Sequence, residues 1–221
     1  MAIRALGSYR CRRFFSELVR SNVGEAMKAL LFSGGIDSTA LAWALRPERL
    51  IFIDYGQVAA AGEARAVQSI AGQLGLRADM MRAPLSDFGH GIMVGGEPLN
   101  EEAPEFWPYR NQMLLTLAAM AYANLPLQSL LIGTVLGDDR HPDGRPQFID
   151  GMNRLLAVQS GPRIEAPAAS KSTEDVLEEY AVPLSILGWT FSCHSSEWAC
   201  GHCHGCRKHM DVIRSVEARL G

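Results

Sequence analysis

Apolar and polar positions change period along the chain, and the changes mark its elements. A continuous apolar run at 28–32 reads as a buried strand, and Ser33-Gly34-Gly35 breaks it. Residues 36–45 then have helical composition, and Pro47 ends that helix. A second buried strand at 50–54 closes at Tyr55-Gly56. The segment 62–75 sets Ala64, Val67, Ile70, Ala71 and Leu74 on one helical face and stops at Gly75. A third strand follows at 78–82. Alternating strand and helix predicts a parallel sheet with right-handed crossovers.

Residues 84–106 are rich in Gly, Pro and acids and show no period, which predicts a mobile loop over a site. An apolar helix at 111–123 and a fourth strand at 130–133 come next. A polar loop at 134–146 carries Asp138, Asp139, His141, Asp143 and Arg145. The rest reads as a helix at 147–159, a short strand at 163–166, a helix at 173–180 capped by Ser172 or Thr173, and a last helix from about 204 to 220. Residues 1–26 have weak patterning, with Arg4, Arg10, Arg12, Arg13 and Arg20 against Glu17 and Glu25. They read as an N-terminal extension without the apolar core of a signal peptide. Residues 27–221 form one domain, and 189–221 is its cysteine-bearing end.

Composition narrows the class. A chain of 221 residues can bury a sizeable core, and 48% hydrophobic with 20% charged residues excludes a disordered polymer. The 21 Lys+Arg stand against 24 Asp+Glu, for a net charge of -3. That balance argues against direct nucleic-acid binding but allows a small anionic ligand. No apolar run reaches the roughly 20 residues a membrane span needs. Of five cysteines, Cys193, Cys200, Cys203 and Cys206 fall close together and Cys11 is remote. The spacing Cys-x6-Cys-x2-Cys-x2-Cys is a metal site in a reducing, cytoplasmic compartment, not a disulfide framework. Four thiolates suit a closed, structural Zn²⁺ site, with an iron–sulfur cluster as the competitor. His194, His202, His204 and His209 flank it.

The string Ser33-Gly34-Gly35-Ile36-Asp37-Ser38-Thr39 joins the first strand to the first helix. Two glycines allow a tight turn and close backbone approach, and the helix aims its first amides at the same point. The hydroxyls of Ser33, Ser38 and Thr39 add donors, which makes an anion cradle suited to pyrophosphate. Gly-x4-Gly-Lys-Ser/Thr is absent, so this is not the usual phosphate loop.

The string resembles the Ser-Gly-Gly-x-Asp-Ser signature of the PP-loop ATP pyrophosphatases. That resemblance implies an α/β fold with a five-stranded parallel sheet and helices on both faces, carrying here a C-terminal zinc-binding helical segment. The wider order adds Asp54-Tyr55-Gly56-Gln57, Pro108-Tyr109-Arg110-Asn111, Gly133-x4-Asp138, Pro142-Asp143-Gly144-Arg145-Pro146, Lys171 and the cysteine cluster. Together these resemble the 7-cyano-7-deazaguanine synthase family from about Met27 to the end. The resemblance implies an ATP-dependent ligase that adenylates 7-carboxy-7-deazaguanine and converts it with ammonia to a nitrile, in a homodimer. It implies that Ser33, Gly34, Gly35, Asp37, Ser38 and Thr39 hold the pyrophosphate and that Asp54, Tyr55 and Gly133 complete the nucleotide site. Lys171 would neutralise phosphate, Asp138 would contact Mg²⁺, and Arg110 would meet phosphate or the substrate carboxylate.

The chain departs from the family where Val58-Ala59 replace Arg-His, and where Tyr109, Gly144 and Gln147 replace a small residue, a Cys and an acid. The loop from Asp138 to Pro142 is one residue short. These changes imply an altered acceptor pocket, with Tyr109 narrowing it or stacking on a planar ligand. The alternatives are a paralogue, for example a defence-associated one, adenylating another carboxylate or amide; a tRNA-thiolating enzyme; and a non-catalytic nucleotide-binding scaffold.

Overall fold

The computed structural model describes residues 26–136 and 142–220. The parallel strands β1 (Met27–Leu31), β2 (Arg49–Asp54), β3 (Ala78–Arg82), β4 (Leu127–Leu131) and β5 (Arg163–Glu165) form one sheet in the order β3-β2-β1-β4-β5. Alternation along β1 shows why its apolar run is continuous. Leu30 and Phe32 enter one core and Ala29 enters another, because both sheet faces are covered.

The first core takes α1 (Ile36–Leu45), α2 (Ala60–Leu74), α5 (Thr173–Glu179), α6 (Leu184–Leu187) and α7 (His204–Leu220), through residues such as Leu41, Val67, Val176, Leu187 and Val212. The second takes α3 (Arg110–Ala121) and α4 (Pro146–Ala157), through Leu115, Ala118, Ile149 and Met152. The expected five-stranded parallel sheet with helices on both faces is therefore the observed one. No helix of the described residues is long and apolar enough to cross a membrane.

Differences from the sequence reading are local. The helix expected to reach residue 123 ends at Ala121, because Tyr122 turns inward. The loop at 84–106 contains two 3-10 turns, Ser86–Phe88 and Gly91–Val94, and buries Met93, Ala103 and Glu105. It is thus a packed cover, closed by bonds such as Gly96 N to Gly91 O and Ile92 N to Pro104 O. Helix α6 has too few residues to show a period. Ser172 is the cap of α5: its Oγ accepts from Asp175 N at 3.1 Å, and Asp175 accepts in return from Ser172 N.

One buried charge holds the sheet edge. Asp79 on β3 is 2% exposed, lies 3.2 Å from Arg77 and 3.6 Å from Arg49, and accepts from the Tyr122 hydroxyl. Removing Asp79 leaves the largely buried Arg49 guanidinium and the Tyr122 hydroxyl without their partner, while Arg77 keeps access to water. Asp79→Ala is expected to destabilise the fold by about 3–5 kcal/mol in denaturant titration, with little change in nucleotide binding.

Candidate active site

The sheet order reverses direction between β1 and β4. Open α/β sheets hold ligands at the carboxyl ends of strands beside such a reversal. A cleft of about 310 Å³ opens there.

Its floor is the glycine loop. Gly34 has φ +75°, and a Cβ on it would stand 2.8 Å from Ala66 Cβ, so glycine is required. Ser33 Oγ accepts from Gly35 N at 3.3 Å, and Ser38 Oγ donates to Gly35 O at 3.1 Å. The first i→i−4 bond of α1 runs from Thr39 N to Gly35 O, so the amides of Ile36, Asp37 and Ser38 precede the ladder at the positive end of the helix. Ser33, Gly35, Ile36, Asp37 and Ser38 line the cleft. Gly133 follows β4 and also lines it; a Cβ there would come within 3.1 Å of Ser38 N and Cα. This close approach brings the two strand ends together.

A second wall comes from the C-terminal segment. Phe191 N donates to Gly34 O at 2.9 Å. A Cβ on Gly62 would meet the Phe191 ring at 2.5 Å, and Arg65 stacks 3.9 Å from the Trp198 ring. Asp37 is approached from two directions: Thr173 Oγ1 donates to its Oδ1 at 2.7 Å, and Lys208 Nζ on α7 lies 3.5 Å from its Oδ2. Cys193, Cys200, Cys203 and Cys206 place their sulfurs within 4.8 Å of one another. Two of these separations are 3.9 and 4.0 Å. A tetrahedral cation at about 2.3 Å from each thiolate spaces its sulfurs by roughly 3.8 Å. Burial holds the Cys206 thiol up at about 12. Burial opposes ionisation of Cys200 too, but the Ser195 hydroxyl and nearby amides outweigh it and bring that thiol to about 5. Four thiolates at this spacing need a cation between them, so the cluster can hold one metal ion.

The opposite end of the cleft is a buried polar group. Gln57 accepts from Tyr55 N at 2.9 Å and donates to Glu63 Oε2 at 2.6 Å. Burial raises the Glu63 carboxyl to about 7, against the pull of Gln57 and Arg110. Burial likewise raises Tyr55, to which Arg110 hydrogen-bonds, and its ring meets Trp107 edge-on at 5.1 Å. Burial works against the Arg110 charge, but Tyr55, Asp143 and Glu63 outweigh it and hold the guanidinium above its ordinary value. Asp143 accepts from Asn111 N at 3.0 Å, and its carbonyl accepts from Asn111 Nδ2, so the Pro-x-Arg-Asn and Pro-Asp-x-Arg-Pro strings form one junction.

Several sequence expectations need correction. Lys171 lies outside the cleft lining; its ammonium pairs with Glu179 at 2.5 Å beside the Tyr180 ring. Thr39 is fully buried in the core side of α1 and does not reach the cleft, and Gly34 shapes the turn without lining it. Asp54 serves the backbone, accepting from Gly56 N at 3.0 Å. Asp138 lies outside the described residues, as do Cys11 and most of the N-terminal extension. Tyr109 is 73% exposed at φ +63° and does not narrow the cleft. Of the five substituted positions Val58, Ala59, Tyr109, Gly144 and Gln147, Gly144 alone lines it, and the shortened loop falls mostly outside the described residues. The sequence reading missed Glu63, Thr173 and Lys208, which no motif marks and only the fold assembles.

The Glu63 proton is linked to stability. A carboxyl raised from 4.5 to about 7 stabilises the fold fully below pH 4.5. Between those values the unfolded chain has already released the proton, so this contribution falls as pH rises through about 7. Melting temperatures of wild type and Glu63→Gln from pH 4.5 to 8 should therefore diverge with rising pH, the variant losing less.

The family model for "Queuosine biosynthesis protein QueC" matches residues 28–216. A 7-cyano-7-deazaguanine synthase of Desulfitobacterium hafniense is 34% identical over 88% of this chain and 94% of the relative. Another, from Methanothrix thermoacetophila, is 33% identical over 80% of this chain and 89% of its own length. Among solved structures, the U34-tRNA thiolase NcsA from Methanococcus maripaludis with its [4Fe-4S] cluster superposes with a TM-score of 0.46 at 18% identity, covering 87% of this chain and 65% of that one. With the family model spanning most of its length and relatives alike over nearly all of theirs, the chain belongs to the QueC family.

Proposed function

We propose that this protein converts 7-carboxy-7-deazaguanine and ammonia to 7-cyano-7-deazaguanine by adenylation with ATP. The observation that carries the reading is the two-ended cleft: an amide-rich glycine loop at one end, and Glu63, Tyr55 and Arg110 at the other. Among the described residues Gly144 is the one departure that lines the cleft, which favours the family's own acceptor over a different one.

A carboxylate is a poor acyl donor. Its oxygen attacks the α-phosphate of ATP, the α–β bond breaks, and pyrophosphate leaves. The loop amides, with Ser33 and Ser38, stabilise the charge that develops on that leaving group. Ammonia then displaces AMP and gives the amide after loss of a proton. The amide oxygen is adenylated by a second ATP, and loss of AMP with the remaining N–H protons leaves the nitrile. Arg110 orients the acceptor carboxylate, and Glu63, neutral or charged near pH 7, hydrogen-bonds the heterocycle's donors. Most of the rate enhancement then comes from positioning. Mg²⁺ would screen the phosphates, with Asp37 as a carboxylate within reach. Zn²⁺ is the best occupant of the four-thiolate site, a closed set of ligands that pins the C-terminal wall.

Product analysis after incubation with ATP, ammonium and 7-carboxy-7-deazaguanine tests this. The nitrile, AMP and pyrophosphate are expected. ADP with orthophosphate as main products would sink the adenylation chemistry. AMP formed only with some other carboxylate would sink the acceptor. Asp37→Ala should lower kcat/KM by about a hundredfold or more with the fold intact. Elemental analysis should give one zinc per chain, and a strong chelator should lower the melting temperature; iron in its place would refute the zinc assignment.

A further inference from the structure

The glycine loop places a carboxylate, Asp37, where anionic phosphates would bind. Like charges so close oppose one another unless a cation stands beside them. Among the described residues, two that line the cleft carry permanent positive charge, Arg110 and Lys208. Arg110 is engaged at the acceptor end with Tyr55, Glu63 and Asp143. Lys208 reaches Asp37 Oδ2 at 3.5 Å, on the loop itself. Lys171 points elsewhere, to Glu179.

Lys208 also sits just past Cys206, in the opening turns of α7. That part of the helix begins in the cysteine knuckle. Cys206 N donates to Cys203 Sγ at 3.4 Å, and Arg207 N to Cys203 O at 3.0 Å. A Cβ on Gly205 would stand 2.0 Å from Ser192 O, so the turn lies flush against the segment that carries Cys193. Farther along, Val212 anchors α7 in the first core independently of the cysteines.

We infer that Lys208 is the side-chain cation that, together with the Mg²⁺ proposed above, binds the nucleotide's phosphates, and that the four-cysteine metal site holds it in place. The inference rests on the ATP-using reading above. In the ligand-free cleft Lys208 balances Asp37, and the same ammonium is within side-chain reach of an anion seated on the loop amides. The metal thus contributes to nucleotide affinity without touching the nucleotide.

The test uses the full chain loaded with metal, and reads direct ATP binding together with KM for ATP and kcat. Lys208→Ala should weaken ATP binding about tenfold or more and raise KM for ATP more than it lowers kcat, with metal content and melting temperature near wild type. Lys208→Arg should restore most of the affinity, and Lys208→Met, which keeps the apolar stem, should not. Lys171→Ala should bind ATP like wild type. Metal-depleted wild type, held below its melting temperature, should bind ATP as weakly as Lys208→Ala, and depletion of Lys208→Ala should add no further loss. Unchanged ATP binding by Lys208→Ala and Lys208→Met, or a loss confined to Lys171→Ala, would overturn the assignment. Additive losses would overturn the coupling to the metal. Wild type that binds no ATP would instead sink the adenylation reading itself.

Discussion

A backbone hydrogen bond from Phe191 N to Gly34 O joins the segment before the cysteine cluster to the glycine loop, at the point where chemistry is proposed. The loop that accepts it has no side chain at its centre and a left-handed turn, so it can approach a ligand but cannot pack for itself. Its shape is imposed by neighbours. Ala66 on α2 lies beneath it, Gly133 beside it, and the Phe191 segment above it. The cysteine knuckle belongs to the same constraint, because it fixes the segment that covers the loop. Sheet, loop and cysteine cluster are therefore one mechanical unit rather than a core with an appendage.

The fold was largely legible because both faces of the sheet are covered. Buried strands become continuous apolar runs, which stand out between helices, and Gly34, Gly56 and Gly75 mark turns that need positive φ. The cysteine cluster was legible because its ligands are close in sequence. What stayed hidden depends on contacts between distant residues. Lys208 and Asp37 are brought together by the path of α7 over α1, and neither has a local signature as a partner of the other. Lys171 shows the reverse case. The family resemblance implied phosphate for it, yet its ammonium pairs with Glu179 beside the capping box at Ser172. Tyr109 was misread for a similar reason: its left-handed backbone sends the ring to solvent, and no side-chain chemistry announces φ.

Two buried carboxylates show how environment assigns different work to one functional group. Asp79 is matched by two guanidinium groups and a phenol, and it fastens an edge strand. Glu63 has one amide donor and a more distant guanidinium, so desolvation prevails and its proton becomes exchangeable near neutrality. The first is a fastener and the second is a group able to change state while a ligand is bound.

The Asn111–Asp143 junction has an evolutionary side. On one flank of residues 137–141 the chain is tied by Leu136 N to Lys171 O at 2.7 Å, and on the other by Asp143 to the first turn of α3. Two fixed posts isolate the sheet from whatever lies between them. Closing a slightly longer or shorter span costs little entropy. Insertions and deletions can therefore be accommodated in this stretch without disturbing β4 or α4, and its length can change while the glycine loop keeps its shape.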